Sequence, residues 1–228
     1  MAKPLLPTRV IDVGTDDGTE PRLWASGGHI AEYVTLSHCW GEVRPLTTEK
    51  SMLSQCLLYI PISSMPKTFQ GAVAVTRGLG YRFLLINSLC IIQDSVEDWE
   101  QECSKMAGVY RNATVTICGS TMADSSAGFL HTREPPKHTP YLWEYRDGTA
   151  VPRRATLRLF YHKYGSLDYP EEPQLTHTER PSPLDKRGWV LQEYLLSPRM
   201  LFFGRYRMYW ECTKGVKYED FPHLVESI

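Results

Sequence analysis

No Cys-x-x-Cys pair occurs in this sequence, although it holds six cysteines, Cys39, Cys56, Cys90, Cys103, Cys118 and Cys212. The absence excludes the common zinc ribbons and the thioredoxin-type redox motif. Most of the six sit in apolar runs, where a free thiol behaves as a small hydrophobe. The expectation is a reducing compartment and no disulfide framework. No apolar run reaches the length of a membrane span, and "MAKPLLPTRVIDVG" lacks the apolar core of a signal peptide. A soluble, cytoplasmic protein with no membrane partner is therefore expected. An excess of charge of either sign is missing too: 25 lysines and arginines face 26 aspartates and glutamates, for a formal net charge of -1. A nucleic-acid partner usually demands a strong basic excess, so that class is set aside. Neither G-x-G-x-x-G nor G-x-x-x-x-G-K-[ST] occurs, which excludes a dinucleotide-reductase fingerprint and a P-loop. Scattered His and Cys do not approach a four-ligand zinc set, so no metal is expected.

What the chain does contain is an alternation of strand and helix patterns. Its 228 residues suit a single domain, with a core over about 30–120 and 183–212 and an insertion over about 121–182. "YVTLS", Tyr33 to Ser37, reads as a buried strand running into the polar and aromatic cluster "HCWG". "SSMPKTFQGAVAVTRGLG" reads as a helix capped by Ser64, with Pro66 in its first turn. Phe69, Val73, Thr76 and Leu79 then follow at three- and four-residue steps until Gly80 stops it. "YRFLLINSLCII" is too apolar to alternate, as expected of a central strand covered on both faces. Ser95 and Asp98 predict a capping box ahead of a helix whose apolar stripe is Val96, Trp99, Cys103, Met106 and Tyr110, with Glu102 on its solvated side. "ATVTICGS" is a further strand. From Thr121 to Pro183 prolines and polar residues dominate; strands are expected there only at "PYLWEY" and "TLRLFYHKY", as a hairpin within the insertion. The helix "DKRGWVLQEYLL", stopped by Pro198, and two aromatic strands, "RMLFFG" and "RMYWEC", complete the chain. This order predicts an α/β fold: a mostly parallel sheet flanked by helices, with an inserted β-hairpin region and C-terminal strands.

Open parallel sheets bind ligands beyond the carboxyl ends of their strands. That rule nominates Ser37, His38 and Trp40 after the first strand, Asn87 and Ser88 within or after the second, and Gly119 and Ser120 after the third. "RGWVLQEYLLSPR" adds a question of its own. Trp189 and Glu193 stand one helical turn apart and share a face, with Gln192 and Leu196 beside them. Glutamate is rarely buried unless something pairs with it, so this carboxylate either meets solvent or is held in a pocket walled by an indole. Each candidate also has a plain reading. His38 can be a satisfied rim histidine, Cys90 inert core rather than a thiol nucleophile, and Trp99 and Met106 ordinary core residues.

Three segments, in this order, carry a resemblance: "YVTLSHCWG", "PKTFQGAVAVTRGLGYRFLLINSLCIIQDSVEDWEQECSKMAGVYRNATVTI", and "PLDKRGWVLQEYLLSPRMLFFG" with "MYWEC" after it. They closely resemble the heterokaryon incompatibility (HET) domain of filamentous fungi, from about Pro7 to Cys212. The resemblance implies a fungal self/non-self recognition or immunity protein whose HET domain triggers cell death. Such domains usually head longer proteins, so a minimal protein or an excised domain is expected. One position departs: the family usually has aspartate in its "IDSLCIIQD" segment, where this chain has Asn87. The amide keeps the shape but removes a charge and an acceptor, which implies a weakened, inactive or deliberately altered site.

HET domains are in turn remotely similar to TIR domains, which have a flavodoxin-like parallel sheet and some of which cleave NAD. In enzymatic TIR domains the catalytic glutamate lies four residues after a tryptophan, in a W-C-x-x-E pattern. "WVLQE" keeps that spacing, with Val190 in place of the cysteine. By this likeness Glu193 is the catalytic carboxylate, Trp189 walls the site, Ser37, His38, Trp40 and Asn87 line a nucleotide pocket, and Arg187 contacts phosphate. NAD would be the substrate, not a resident cofactor. The active form would be a homo-oligomer, under an upstream receptor or partner domain. Two rival readings stay open. In one, the domain signals without catalysis and Glu193 pairs with Arg187 or Arg199. In the other, a hydrolase uses Cys90 or Ser37 with His38.

Overall fold

The computed structural model describes residues 3–15, 18–41, 44–119, 124–132, 141–145, 153–157, 188–204, 208–219 and 221–226, and side chains for these except at 141–145, 153–157, 188–190 and 221–226. In chain order come strands β1 (Arg9–Asp12), β2 (Arg22–Ala25) and β3 (Tyr33–Ser37), helix α1 (Leu53–Leu58), a 3-10 turn (Ile62–Ser64), helix α2 (Lys67–Gly78) and strand β4 (Phe83–Leu85). Helices α3 (Asn87–Cys90) and α4 (Val96–Asn112) lead to β5 (Val115–Cys118), β6 (Tyr141–Tyr145) and β7 (Arg153–Leu157). Helix α5 (Gly188–Leu196) and strands β8 (Arg199–Phe203), β9 (Met208–Cys212), β10 (Gly215–Tyr218) and β11 (Phe221–Glu226) follow. Residues 133–177 cluster as a compact unit of their own. Within that unit β6 and β7 pair antiparallel, Tyr141 opposite Leu157. The strand expected at "PYLWEY" is present as β6, whereas β7 begins earlier than "TLRLFYHKY" and shares only Thr156 and Leu157 with it; the rest of that segment lies outside the described residues.

Among the described residues the large sheet has nine strands in the order β11-β10-β9-β8-β5-β3-β4-β1-β2. Its centre is parallel: β4, β3, β5 and β8 are joined by three parallel ladders. All its other ladders are antiparallel, β4–β1–β2 on one side and β8–β9–β10–β11 on the other. The expected α/β class holds, but the sheet is mixed, not mostly parallel, and its two antiparallel wings depart from a flavodoxin-like fold. The physical reason lies in the connections. A parallel pair needs a long crossover, whereas an antiparallel neighbour needs only a tight turn, such as the two residues between β9 and β10. The four-residue strands β1 and β2 were too short to declare themselves by period.

All five residues of β3 are buried, and the strand sits in one core with Phe69, Ala72 and Val73 of α2 and Met106, Val109 and Tyr110 of α4. Burial of a side chain such as Phe69 stabilises the fold by roughly 1.5–3 kcal/mol. Several local expectations need correction. Ser64 does not cap α2. It lies in the preceding 3-10 turn with its hydroxyl on the Pro61 carbonyl (2.7 Å), and Pro66 takes the N-cap. The strand expected over "YRFLLINSLCII" stops at Leu85, and α3 starts at Asn87. Thr48 explains the turn: its amide donates to the Ser88 carbonyl at 3.0 Å and its hydroxyl to the Leu89 carbonyl at 2.7 Å, using acceptors that a ladder would need.

On α4 only half of the capping box forms. The Ser95 hydroxyl accepts from the Asp98 amide, but the Asp98 carboxylate takes Arg9 and the Ile92 amide instead of reaching back. The stripe buries only from its middle onward; Val96 and Trp99 are exposed, while Glu102 is buried and paired with Lys105 at 2.9 Å. Helical period gave the face of α4 but not how far along it the sheet reaches.

Candidate functional site

Ser37 is the last residue of β3, in register with Cys118 at the end of β5. These two strand ends lie at the centre of the parallel ladders, where β4 and β5 flank β3 on opposite sides. The Ser37 hydroxyl donates to Oε2 of Glu193, which comes from α5 and is buried at 8% exposure. A row of hydroxyls brings α5 to this place. Thr35 of β3 and Thr116 of β5 share a hydrogen bond of 2.7 Å, Thr116 shares another of 2.7 Å with Ser197, and Ser197 donates to the Glu193 carbonyl at 2.7 Å. Beside Glu193, the Tyr194 hydroxyl donates to Glu211 of β9. The helix is thus fastened at its last turn to three strands.

Tyr110 reaches in from the C-terminal half of α4, 2% exposed. Its phenolic oxygen accepts from the Asn87 amide nitrogen at 3.2 Å. Burial pushes the Tyr110 phenol well above the ordinary tyrosine value, and the charge of Glu193 pushes it further. The Cys118 thiol is raised in the same way, first by burial and then by the charges of Glu193 and Glu211. Both groups therefore stay protonated at neutral pH. Asn87 Oδ1 and Ser88 Oγ are buried without a hydrogen-bond partner among the described residues.

Of the residues singled out from the sequence, Ser37 and Glu193 are hydrogen-bonded to each other, and Asn87 donates to Tyr110, whose phenol is raised by the Glu193 charge. His38 is buried just past the strand end, edge-on to Phe69 with ring centroids 5.1 Å apart. Trp40 is half-buried on the loop that follows. Trp189 lies one turn before Glu193 on α5, but its side chain is outside the described residues, as is the whole of Arg187. Arg199 donates to the Thr114 carbonyl at 3.4 Å. Tyr110 was missed because it fits the apolar stripe of α4; the signal that could have found it is that a buried phenol needs a partner for its hydroxyl. Cys90 has the opposite character. It is 3% exposed, and burial raises its thiol to about 12, so it holds no thiolate at neutral pH and the thiol-nucleophile reading falls.

The family model described as heterokaryon incompatibility protein (HET) matches residues 33–193. The chain belongs to the HET family. The match opens on the first residue of β3 and closes on Glu193, so it contains Ser37, Asn87, Tyr110 and Glu193. No curated protein and no solved structure matches the chain. Membership of the HET family points to a role in fungal heterokaryon incompatibility and the cell death that accompanies it. Among the described residues no three His, Cys, Asp or Glu side chains gather as a metal site, and no helix is long and apolar enough to cross a membrane.

Proposed function

We propose that this HET domain acts in cell death by cleaving NAD or a related dinucleotide at the nicotinamide–ribose bond, with Glu193 facing the ribose. The observation that carries the reading is a buried carboxylate at the ends of parallel strands that accepts the Ser37 hydroxyl. A hydroxyl donor orients a carboxylate and leaves its charge in place. A ribose offers hydroxyls of the same kind, so it can take the place of that donor. When the C1′–N bond breaks, its electron pair goes to the nicotinamide nitrogen, which leaves neutral, and positive charge builds on the sugar. A fixed carboxylate in a water-poor site stabilises that charge. The leaving group is already cationic, so it needs little acid help.

In this proposal Ser37, His38, Trp40 and Asn87 line the nucleotide pocket, Trp189 supplies a stacking wall and Arg187 meets a phosphate. The active species is a homo-oligomer under an upstream receptor or partner domain. Nicotinamide release is common to hydrolysis and cyclisation, which makes it the readout of choice. Glu193→Gln is expected to abolish release while the melting temperature stays within about 3 °C of the parent.

A second reading draws on the same bonds. The link from Glu193 to Ser37, with the Thr35–Thr116–Ser197 row, knits α5 to β3 and β5, as a fold determinant in a non-enzymatic death-signalling module would. That reading predicts no nicotinamide release from the parent and a Glu193→Gln protein that melts well below it.

A further inference from the structure

Glu102 of α4 is 3% exposed, and among the described residues the only donor to its carboxylate is the Lys105 ammonium, 2.9 Å from Oε1. The second oxygen, Oε2, has no hydrogen-bond partner among them. A carboxylate held this far from bulk water needs both oxygens met, because each loses hydration on burial. The missing donor has to come from the cleft that Glu102 lines. This cleft, of about 400 Å3, is formed by α4, residues 5–8 and the turn at residues 26–28, with Tyr33 also in its lining. Tyr33 is the first residue of β3 and Ser37 the last, so the cleft lies at the opposite end of that strand from the candidate site.

Three features decide what the cleft can take. Its lining is largely apolar, with Leu5, Leu6, Pro7 and Val109, as in sites that hold a small molecule by its body. The exposed glycines Gly27, Gly28 and Gly108 belong to it too, and a Cβ at any of them would meet no atom within 4 Å. Its charge is balanced. Lys105 is held at two points, by Glu102 and by the Thr8 hydroxyl, each at 2.9 Å, so its ammonium stays beside the carboxylate. With that pair neutral as a whole, a ligand charge of either sign would lose hydration among apolar groups and gain no net counter-charge.

We infer that the cleft binds a small, mainly apolar molecule ending in an uncharged donor, a hydroxyl or an amide N–H, which donates to Oε2 of Glu102. The body of the molecule covers the leucines, Pro7 and Val109, and its head completes the carboxylate. This inference does not rest on the role proposed for Glu193.

The test titrates the whole chain with hexanamide and hexan-1-ol, reading the backbone amide signals of Gly27, Gly28 and Gly108 by NMR. Both probes should give saturable shifts at these glycines. Hexylammonium and hexanoate, with the same chain length but charged at about pH 7, should bind about tenfold more weakly or worse. Gly108→Leu places a side chain in open space on a helix, so its melting temperature should be unchanged or higher, while binding of both uncharged probes is lost. Glu102→Gln keeps the shape but leaves the Lys105 charge unbalanced, so the preference should move toward hexanoate by about tenfold. No saturable shift in the parent overturns the inference, as does equal binding of charged and uncharged chains. Full binding by a folded Gly108→Leu protein, or an unmoved preference in folded Glu102→Gln, overturns it as well. The parent series decides by itself should either variant not fold.

Discussion

At the scale of single residues, the site is set by which polar groups are buried together. The Ser37 hydroxyl helps Glu193 to be tolerated in the interior, since a buried charge without hydrogen bonds costs several kcal/mol. Cys90 shows the contrast: it is a reactive residue type in an unreactive place. Its thiol, raised to about 12 by burial, should resist iodoacetamide in the folded protein at neutral pH, with peptide mapping as the check. Cys90→Ala should leave any nicotinamide release unchanged; loss of turnover in a stably folded variant would revive the thiol mechanism. Glu193 and Ser37 could be nominated from spacing and strand ends alone. Tyr110 could not, because an apolar stripe conceals a hydroxyl whose partners lie on other elements. Asn87 was nominated as within or after the second strand, and it stands just after β4; that it opens a short helix was not legible, since the Thr48 contacts that make the turn lie 40 residues away from Ser88 in the sequence.

At the scale of elements, α5 matters more than its length suggests, since it carries Glu193 and is anchored by the Thr35–Thr116–Ser197 hydroxyl row. Thr116→Val keeps the shape but removes the central hydroxyl of that row. It should cost about 1–3 kcal/mol, lower the melting temperature by several degrees, and reduce turnover more than substrate affinity, because the last turn of α5 is no longer fixed to β5. An unchanged melting temperature would mean that the row does not hold the helix. On the other wing, Asp12 of β1 accepts two hydrogen bonds from Arg82, at 2.8 and 2.9 Å, and one from the Gly14 amide. Burial raises its pKa, but the bonds from Arg82 and Gly14 and the charges of Arg82 and Arg22 outweigh it, so the net shift is downward. A depressed carboxyl contributes stability above the unfolded aspartate value, lost as pH falls through the folded one. Asp12→Asn should therefore flatten the acid limb of a melting profile below about pH 4. The change should be small, since Arg82 is half-exposed and solvent screens the pair. These wings were also the least legible part of the fold, because β1, β2 and β10 are four-residue strands whose pairing, not their pattern, makes them strands. The strand β3 and the helices α4 and α5 stood out because long apolar runs or helical stripes leave a local trace.

At the scale of the whole molecule, the parallel centre of the sheet is where the α/β reading from sequence and the structure agree, and it is where the candidate site lies. The antiparallel wings extend the sheet on both sides without taking part in the Ser37–Glu193 contact. Membership of the HET family gives the domain its setting in heterokaryon incompatibility, and the buried carboxylate gives the proposal its chemistry. The most direct measurement of that chemistry is nicotinamide release from NAD by the purified protein, run beside Glu193→Gln with the melting temperature of each recorded. Release by the parent, none by the variant and melting temperatures within about 3 °C of each other are the expected outcome. Equal release by both proteins, or none by a fully folded and assembled parent, would contradict it.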